Sequence, residues 1–283
     1  MKGDEFEPHR TVLMGIAYRM LGSSAEAEDA VQDAWLRFQS ADAAAIVNAR
    51  AWLATVIARI CIDRLTSARA QRETYPGPWL PEPVLTTTPI DLESIQLGFL
   101  VLLERLDPKE RAVFLLHQVF DHSHAEIGAM LDISEAASRQ SLHRAKEHVA
   151  ANKPRFQADR ETHQRLLSAF MAAVSKGDVA AISSVMAEDV VLVGDHGEKR
   201  PGAILRSIVG PERVARFFAS QIARSPSPPD FAVEVTDVNG WPALVGRRGG
   251  AVNFVMNIET DGEKIVTIRS VLNPLKLHLP HVS

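Results

Sequence analysis

The chain has 283 residues, a formal net charge of −4 and a hydrophobic fraction of 46%. This length suffices for about two or three domains with separate cores, and the composition excludes a disordered protein. Cys61 is the only cysteine, so disulfides and cysteine-rich metal sites are excluded and a cytoplasmic location is expected. The sequence shows neither a signal peptide nor an apolar run of about 20 residues, so export and membrane insertion are not predicted.

Charge is distributed unevenly along the chain. Residues 1–48 are mainly acidic, whereas residues 49–75 contain five arginines and only two acids. A second basic stretch spans residues 133–155, and the residues after 160 are balanced. Two separate basic elements are typical of proteins that hold a phosphate backbone at two points, so the negative overall charge does not argue against nucleic acid as a partner.

Helical patterns occupy the first half of the chain. Apolar residues recur every three to four positions through most of residues 11–72, which predicts a helical bundle. Residues 76–90 contain repeated prolines, which fix φ and remove backbone donors, so we expect a linker there. Helices are predicted again over residues 91–153, where Lys153 and Pro154 supply a stop.

Residues 120–151 have the spacing of a helix-turn-helix. Ile127 and Met130 give the first helix an apolar face, Asp132 and Ile133 form the turn, and Ser134 can cap the second helix. The polar face of that second helix carries residues suited to base edges and phosphates in a major groove. They are Ser138, Arg139, His143, Arg144 and Lys146. Taken alone, this segment is equally compatible with an amphipathic helix pair whose charged face is solvated.

After His163 the pattern changes from helices to strands. Residues 190–193 are strand-like, residues 252–258 alternate between apolar and polar, and Asp261 with Gly262 predicts a hairpin turn. Residues 265–271 are rich in β-branched side chains. Helices followed by a curved antiparallel sheet with one buried face predict an α+β domain over residues 163–283.

Three segments carry a resemblance to a known family. They are AEDAVQDAWLRF (residues 27–38), RAWLATVIARICIDRLTSARAQR (residues 50–72) and the stretch from Leu103 to Glu147 that contains the helix-turn-helix. The chain resembles the extracytoplasmic-function (ECF) sigma factors, the small promoter-recognition subunits of bacterial RNA polymerase. The resemblance implies that the first segment binds the polymerase clamp, that the second melts and reads the −10 promoter element, and that the third reads the −35 element.

The resemblance also implies contacts for individual residues. Because the apolar side of the first segment is buried, its acidic and amide side chains face outward and form a patch. Core polymerase would bind this patch. This patch consists of Glu28, Asp29, Gln32 and Asp33. DNA would meet basic residues of the second segment in addition to those of the helix-turn-helix. These residues are Arg59, Arg64, Arg69 and Arg72.

The C-terminal part resembles the cone-shaped SnoaL-like fold, which ketosteroid isomerases share and which one ECF subgroup carries as a fusion. The resemblance rests on the linker Trp79–Pro83, the loop after Val193 and the segment Asn273–Leu277. The loop has fewer glycines than the subgroup pattern, and Leu275 stands where an acid is usual. The resemblance implies regulation in cis, in which the linker and the loops at residues 195–199 and 273–277 make the intramolecular contacts. The implied regulatory residues are Asp195, Glu198, Lys199, Asn273, Pro274 and Lys276.

Enzymatic activity is not predicted for this C-terminal domain. Related isomerases use a tyrosine in the oxyanion hole, whereas Tyr18 and Tyr75, the only tyrosines, both precede residue 163. His196 and the other histidines lack the spacing of metal ligands. We therefore expect no cofactor, and a small-molecule ligand of the cone remains open.

The sequence thus predicts a multidomain protein with two all-α sigma domains (residues 1–75 and 91–153) and an α+β SnoaL-like domain. Its predicted partners are core RNA polymerase and promoter DNA, and no membrane. One alternative function is a ligand-responsive helix-turn-helix regulator that works without polymerase, against which the motif over residues 28–38 argues. A second alternative is an isomerase-type enzyme with a DNA-binding arm, against which the tyrosine positions and the lack of a nucleophile motif argue.

Overall fold

The computed structural model describes residues 2–42, 46–73, 75–85, 97–150, 159–197, 204–224 and 230–278. Two compact units make up the chain. The first unit comprises residues 1–74 and 87–153, and the second comprises residues 75–86 and 154–283. Both predicted helical domains therefore belong to a single unit, and the described part of the predicted linker belongs to the second unit.

The first unit is entirely helical in its described part. Its helices are α1 (Lys2–Leu21), α2 (Ser24–Ser40), α3 (Ala49–Glu73), α4 (Leu97–Leu103), α5 (Pro108–Gln118), α6 (His124–Leu131) and α7 (Glu135–Ala150). Polar residues fix several helix starts: the Ser23 hydroxyl accepts a bond from the amide of Glu26, and Ser123 forms a capping box with Glu126. These starts follow from the sequence because serine and aspartate side chains satisfy the first free amides of a helix.

A buried cation joins α5 to α1 within this unit. The Arg111 side chain is almost completely buried, and its Nε and Nη2 atoms both donate to the carbonyl of Arg19, at 3.0 and 2.7 Å. Its Nη1 atom pairs with Glu104. Arg19 lies in the last turn of α1, where carbonyl groups lack helical partners. Arg111 therefore supplies donors to the end of α1, which explains why the helices before and after the proline-rich segment pack as one unit.

Cys61 is a buried core residue of α3, as the sequence predicts. Burial raises the pKa of its thiol to about 12, because a buried thiolate would lose its hydration. The thiol therefore stays protonated at neutral pH and behaves as a small apolar side chain.

The second unit contains a six-stranded sheet and three helices in its described part. Its elements are α8 (Arg160–Ser175), α9 (Val179–Ser184), β1 (Met186–Asp195), β2 (Ile208–Val209), α10 (Pro211–Arg224), β3 (Phe231–Val238), β4 (Trp241–Arg248), β5 (Ala251–Thr260), β6 (Ile265–Val271) and a 3-10 helix (Pro274–Lys276). The sheet order is β2-β1-β6-β5-β4-β3. The predicted α+β class is confirmed.

Strand β1 departs from the predicted antiparallel arrangement, because it pairs in parallel with β6. All other strand pairs are antiparallel. A parallel neighbour requires a long crossover connection, and the chain between β1 and β6 supplies it through α10 and four further strands. The predicted hairpin turn at Asp261 and Gly262 is present, with Gly262 at a φ of 100° that favours glycine.

The sheet is covered on both faces, whereas the sequence predicts one buried face. Met256 and Ile268 pack with the helices in the main core. Val245, Val255 and Val271 pair across neighbouring strands with Asp195 at the end of the row, and all four are fully buried on the opposite face. Apolar alternation alone does not indicate this second covered face, because the covering residues come from a distant part of the sequence.

Residues 75–85 provide a cover for this second face. The Leu80 amide donates to the Asp195 carboxyl group at 2.9 Å, and Leu85 forms an antiparallel bridge with Val238. Leu80 and Val84 are buried. The described part of the predicted linker is therefore a packed layer of the second unit. Residues 86–90 of that prediction lie outside the described residues.

We expect the substitution Leu80→Ala to destabilise the chain by about 2–5 kcal/mol, the usual cost of truncating a buried leucine. Urea denaturation of the full chain followed by circular dichroism measures this change. Leu275→Ala is the matched control, because Leu275 is exposed and its truncation should change stability by less than about 0.5 kcal/mol. Equal effects of the two substitutions would show that residues 75–85 are not packed.

Candidate functional sites

The predicted helix-turn-helix is formed by α6 and α7. Helix α6 ends at Leu131, and the capping residue Asp132 adopts a left-handed conformation with φ of 55°. Gly128 permits the turn, because a Cβ atom there would lie 2.8 Å from the Ile133 carbonyl oxygen. Ser134 then caps α7, and its hydroxyl accepts a bond from the Ala137 amide at 3.1 Å. The turn and the cap lie where the sequence predicts them.

Helix α7 presents a charged face that is accessible in this unit. Arg139, His143, Arg144 and Lys146 are exposed, whereas the opposite side packs on α5 and α6. Arg139 pairs with Glu135 one turn earlier, and His143 lies 3.5 Å from Glu147. Exposed pairs of this kind contribute little stability, so these side chains can exchange such partners for DNA phosphates at small cost.

Ser138 does not belong to this exposed face. Its side chain is fully buried, and its hydroxyl lies 2.9 Å from His124 Nδ1. Ser138 precedes Leu142, Ala145 and Val149 by four, seven and eleven positions, which places it on the buried stripe of α7. The predicted DNA contact of Ser138 is therefore wrong, and the helical spacing of its apolar neighbours was the signal that sequence reasoning missed.

Two arginines of α3 that were predicted to contact DNA already have partners within the first unit. Arg59 Nε donates to the Met130 carbonyl at 2.7 Å, near the end of α6. Arg64 Nη2 pairs with Asp33 at 2.7 Å, and its Nη1 atom donates to the Glu26 carbonyl at 2.9 Å. The structure thus joins a residue predicted to contact DNA to one predicted to contact polymerase. Helix α3 also contains Arg69 and Arg72, whose side chains lie outside the description.

The acidic patch lies on the exposed side of α2. Glu28, Asp29 and Gln32 are exposed, and Asp33 is half-buried beside Arg64. Val31, Ala34 and Phe38 pack into the core on the other side. The patch is therefore a continuous polar surface on one helix, fit for a protein partner with complementary charge.

A buried carboxyl group organises the second unit. Asp195 is fully buried and accepts bonds from Tyr75 Oη at 2.5 Å, the Leu80 amide at 2.9 Å and the Gly197 amide at 3.1 Å. Lys276 Nζ completes its surroundings at 2.7 Å. The same ammonium group also donates to the Leu80 carbonyl at 2.6 Å. A buried carboxylate is costly unless it is paired and hydrogen-bonded, and this one is both.

Two aromatic rings lie close to the Lys276 ammonium group. Its Nζ atom lies 3.9 Å from the centre of the Trp79 ring and 5.2 Å from that of the Tyr75 ring. Ring faces attract cations, most strongly when water is excluded. Asn273 Nδ2 donates to Tyr75 Oη at 2.9 Å. The network therefore brings Asp195, Asn273 and Lys276 into contact with the segment around Tyr75 and Leu80.

Other predicted regulatory residues are not part of the described network. Pro274 begins the 3-10 helix, where it is exposed. Glu198 and Lys199 lie outside the described residues. Tyr75, in contrast, is a network residue that the sequence does not predict: it precedes residue 163, yet its hydroxyl lies inside the second unit.

This tyrosine does not turn the network into a catalytic site. Burial and the neighbouring Asp195 raise the pKa of the Tyr75 hydroxyl well above its usual range, so the group stays protonated and acts as a hydrogen-bond donor. Asp195 in turn is surrounded by donors and fully buried. A general base needs access to a substrate proton, and Asp195 has none in this arrangement.

Comparisons with known proteins agree with this architecture. Residues 6–71 match Sigma-70 region 2, residues 97–149 match Sigma-70 region 4, and residues 167–271 match the SnoaL-like domain. These matches define a sigma factor with a fused C-terminal domain. No helix in the described part of the chain combines the length and apolar character needed to cross a membrane.

Two relatives from Mycobacterium tuberculosis are similar over nearly the whole chain. The ECF RNA polymerase sigma factor SigJ is 37% identical over 293 residues, covering 98% of this chain and 93% of SigJ. The probable ECF RNA polymerase sigma factor SigI is 30% identical over 284 residues, covering 96% and 94%. The crystal structure of SigJ matches with a TM-score of 0.76 and 33% identity over 97% of each chain.

The chain belongs to the ECF RNA polymerase sigma factors and carries a C-terminal SnoaL-like domain. Sigma factors are not enzymes, so the expectation that this chain is not an enzyme is confirmed. The sigma-factor prediction is likewise confirmed over the polymerase-independent regulator and the isomerase-type enzyme.

We expect Asp195→Asn to destabilise the second unit by about 3–5 kcal/mol, because it removes the fully buried carboxylate that lies 2.7 Å from Lys276 Nζ. Differential scanning calorimetry of the full chain measures the loss. Asp237→Asn is the control, since Asp237 pairs with Arg160 where both side chains are largely exposed, and its loss should cost less than about 1 kcal/mol. Similar calorimetric shifts for both variants would contradict the assigned importance of the buried network.

Proposed function

We propose that the first unit directs transcription initiation in the cytoplasm by binding core RNA polymerase and a two-part promoter. Helix α7 reads the −35 element and α3 contacts the −10 element. The single observation that carries this proposal is the helix-turn-helix, whose second helix exposes Arg139, His143, Arg144 and Lys146 above a buried apolar stripe. A basic, accessible helix of this length fits a major groove.

Core polymerase binds the acidic patch of α2 in this proposal. The patch is exposed at Glu28, Asp29 and Gln32, and no apolar core residue would need to move for a partner to reach it. The Arg64–Asp33 pair lies at the edge of the patch. Contact of Arg64 with DNA would therefore require this arginine to exchange a protein carboxylate for a phosphate, which keeps the number of charge-assisted bonds constant.

In vitro transcription with purified core polymerase and a library of genomic promoter fragments tests the function directly. Specific start sites that depend on the chain are the expected result. Transcripts that are the same with and without the chain would contradict the proposal.

We expect Asp29→Lys to weaken the complex with core polymerase at least about 10-fold, because it replaces an attractive charge by a repulsive one. Pull-down and fluorescence titration with core polymerase measure this change. Glu7→Lys on α1 is the control, since it makes the same charge change at an exposed position outside the patch. Equal binding by the two variants would contradict the placement of the polymerase contact.

The second unit regulates this activity in cis through the segment Tyr75–Leu85. The chain leaves α3 at Glu73, and Tyr75 is already anchored to Asp195. Any change in the Asp195 network therefore acts on the connection between the two halves of the first unit. A small molecule bound by the second unit would act through the same network, and adding candidate ligands to the transcription assay tests that part.

We expect removal of residues 163–283 to change the amount of transcript several-fold. A change of this size needs a coupling free energy of only about 1 kcal/mol between the second unit and the activity of the first. Lys276→Ala should change transcription in the same direction, since it removes the ammonium that joins Leu80 to Asp195. Leu275→Ala, at the exposed neighbouring position, should leave transcription unchanged. Equal output from the full and truncated chains over a range of concentrations would contradict regulation in cis.

A further inference from the structure

Helix α5 contains a buried acid in the part of the chain that is proposed to bind DNA. Glu110 is only 8% exposed. Burying a carboxylate costs free energy unless it is paired, and a negative charge in such a domain also repels the phosphate backbone. Glu110 therefore needs partners that offset its burial, and its charge opposes DNA binding unless those partners contribute to recognition.

Both carboxylate oxygens of Glu110 face helix α7. Arg144 Nε donates to Oε1 at 2.7 Å, and His148 Nδ1 lies 3.6 Å from Oε2. Arg144 and His148 are separated by four residues, so they lie one above the other on the same side of α7. Contacts with two successive turns fix the rotation of α7 about its axis relative to α5.

The contact with Glu110 leaves the outer part of the Arg144 guanidinium available. A guanidinium carries five N–H donors, and Glu110 occupies the one on Nε. Nη2 lies 3.5 Å from Ser141 Oγ, and within the described ranges no partner lies against Nη1. The Arg144 side chain is 47% exposed. Its inner edge is thus held while its outer edge faces solvent.

Arg139 on the same helix is a useful comparison, because its acidic partner is exposed. It pairs with Glu135 one turn away, and both side chains are more than half exposed. Such a pair is too weak to hold one side-chain conformation. Glu110, in contrast, is held by the packing of α5, so its carboxylate is a fixed point for Arg144.

We propose that Glu110 is a positioning residue for DNA recognition, which holds Arg144 extended so that its outer Nη donors meet a phosphate or a guanine edge. The proposal rests on the proposed function, in which Arg144 contacts DNA. A long side chain loses conformational entropy when it is ordered, and this loss weakens binding if it occurs on contact with DNA. A side chain that is already ordered before binding avoids this cost. This ordering matters for arginine in particular, because the donors of its planar guanidinium must point towards the acceptor.

The direction in which DNA affinity changes when Glu110 is replaced distinguishes a positioning role from a general electrostatic effect. Removing an acid from a DNA-binding domain should strengthen binding, because it lowers the repulsion of phosphates. A positioning role predicts the opposite result for Glu110. Glu135→Ala removes one acid from the exposed start of α7 and is the matched control, which should bind DNA as well as the unmodified chain or more tightly.

The experiment uses the full chain assembled with core polymerase. A DNA duplex is first selected from a random library with the unmodified holoenzyme, and its Kd is then measured by fluorescence anisotropy at several salt concentrations. The variants are Glu110→Ala, Glu110→Gln, Arg144→Ala and the double variant Glu110→Ala with Arg144→Ala. Thermal melting of each variant shows whether the first unit remains folded.

We expect Arg144→Ala to weaken binding about 5- to 150-fold, the range for one lost base-edge contact, and to lower the salt slope by about one if the partner is a phosphate. Glu110→Ala should weaken binding roughly 2- to 10-fold, the cost of ordering one long side chain. Its salt slope should stay unchanged because Arg144 is still present. Glu110→Gln should recover part of the loss, since its amide oxygen still accepts a bond from Nε.

The double variant decides between positioning and a general packing role. If Glu110 acts through Arg144, adding Glu110→Ala to Arg144→Ala causes no further loss of binding. A further loss equal to that of the single variant, or unchanged or tighter binding by Glu110→Ala, would overturn the proposal. If Glu110→Ala unfolds the first unit, Glu110→Gln with and without Arg144→Ala gives the same comparison. Unchanged binding by Arg144→Ala would instead refute the proposed DNA contact of Arg144 itself.

Discussion

The second unit depends on the burial of one carboxyl group, that of Asp195. Water cannot reach this group, so protein donors must satisfy it, and they come from three separate parts of the sequence: Tyr75 and Leu80, Gly197, and Lys276. Removing any one of these parts leaves buried polar atoms without partners, which costs more than the bond itself is worth. Residues 75–85 are therefore held in the second unit by buried hydrogen bonds, although they contain little regular structure.

In the first unit, the burial of a charged residue determines how strongly it is bound to its hydrogen-bond or ion-pair partner. Arg111 is buried and bonded to the end of α1, so it has a structural role. Arg64 and Asp33 are only partly buried, and Arg139 and Glu135 are exposed, so these pairs are weaker and can be exchanged for other partners. Arg64, Asp33 and Arg139 thus carry weaker pairs, which suits surfaces that must change partners, whereas Arg144 is paired with the buried Glu110.

Much of the architecture follows from local patterns in the sequence. The helix-turn-helix is predictable because a serine cap, a glycine and an apolar period of three to four coincide within a short segment, and the α+β class follows from helices before strands. Contacts between distant residues do not follow. Tyr75 meets Asp195 across a separation of 120 residues, and no local pattern indicates that pairing. The parallel pairing of β1 with β6 escaped prediction for the same reason.

The departures of this chain from the subgroup pattern can be understood from the same network. Leu275, which stands where an acid is usual, is 79% exposed, and only its backbone amide takes part, by donating to Asn273 Oδ1 at 3.0 Å. The network therefore does not need a charged side chain at this position. Gly197 is different: its φ is 74°, and a Cβ atom there would lie 2.5 Å from the Asn273 side chain. A glycine at this point is required, because only a residue without a side chain lets the loop approach Asn273 while its amide reaches Asp195.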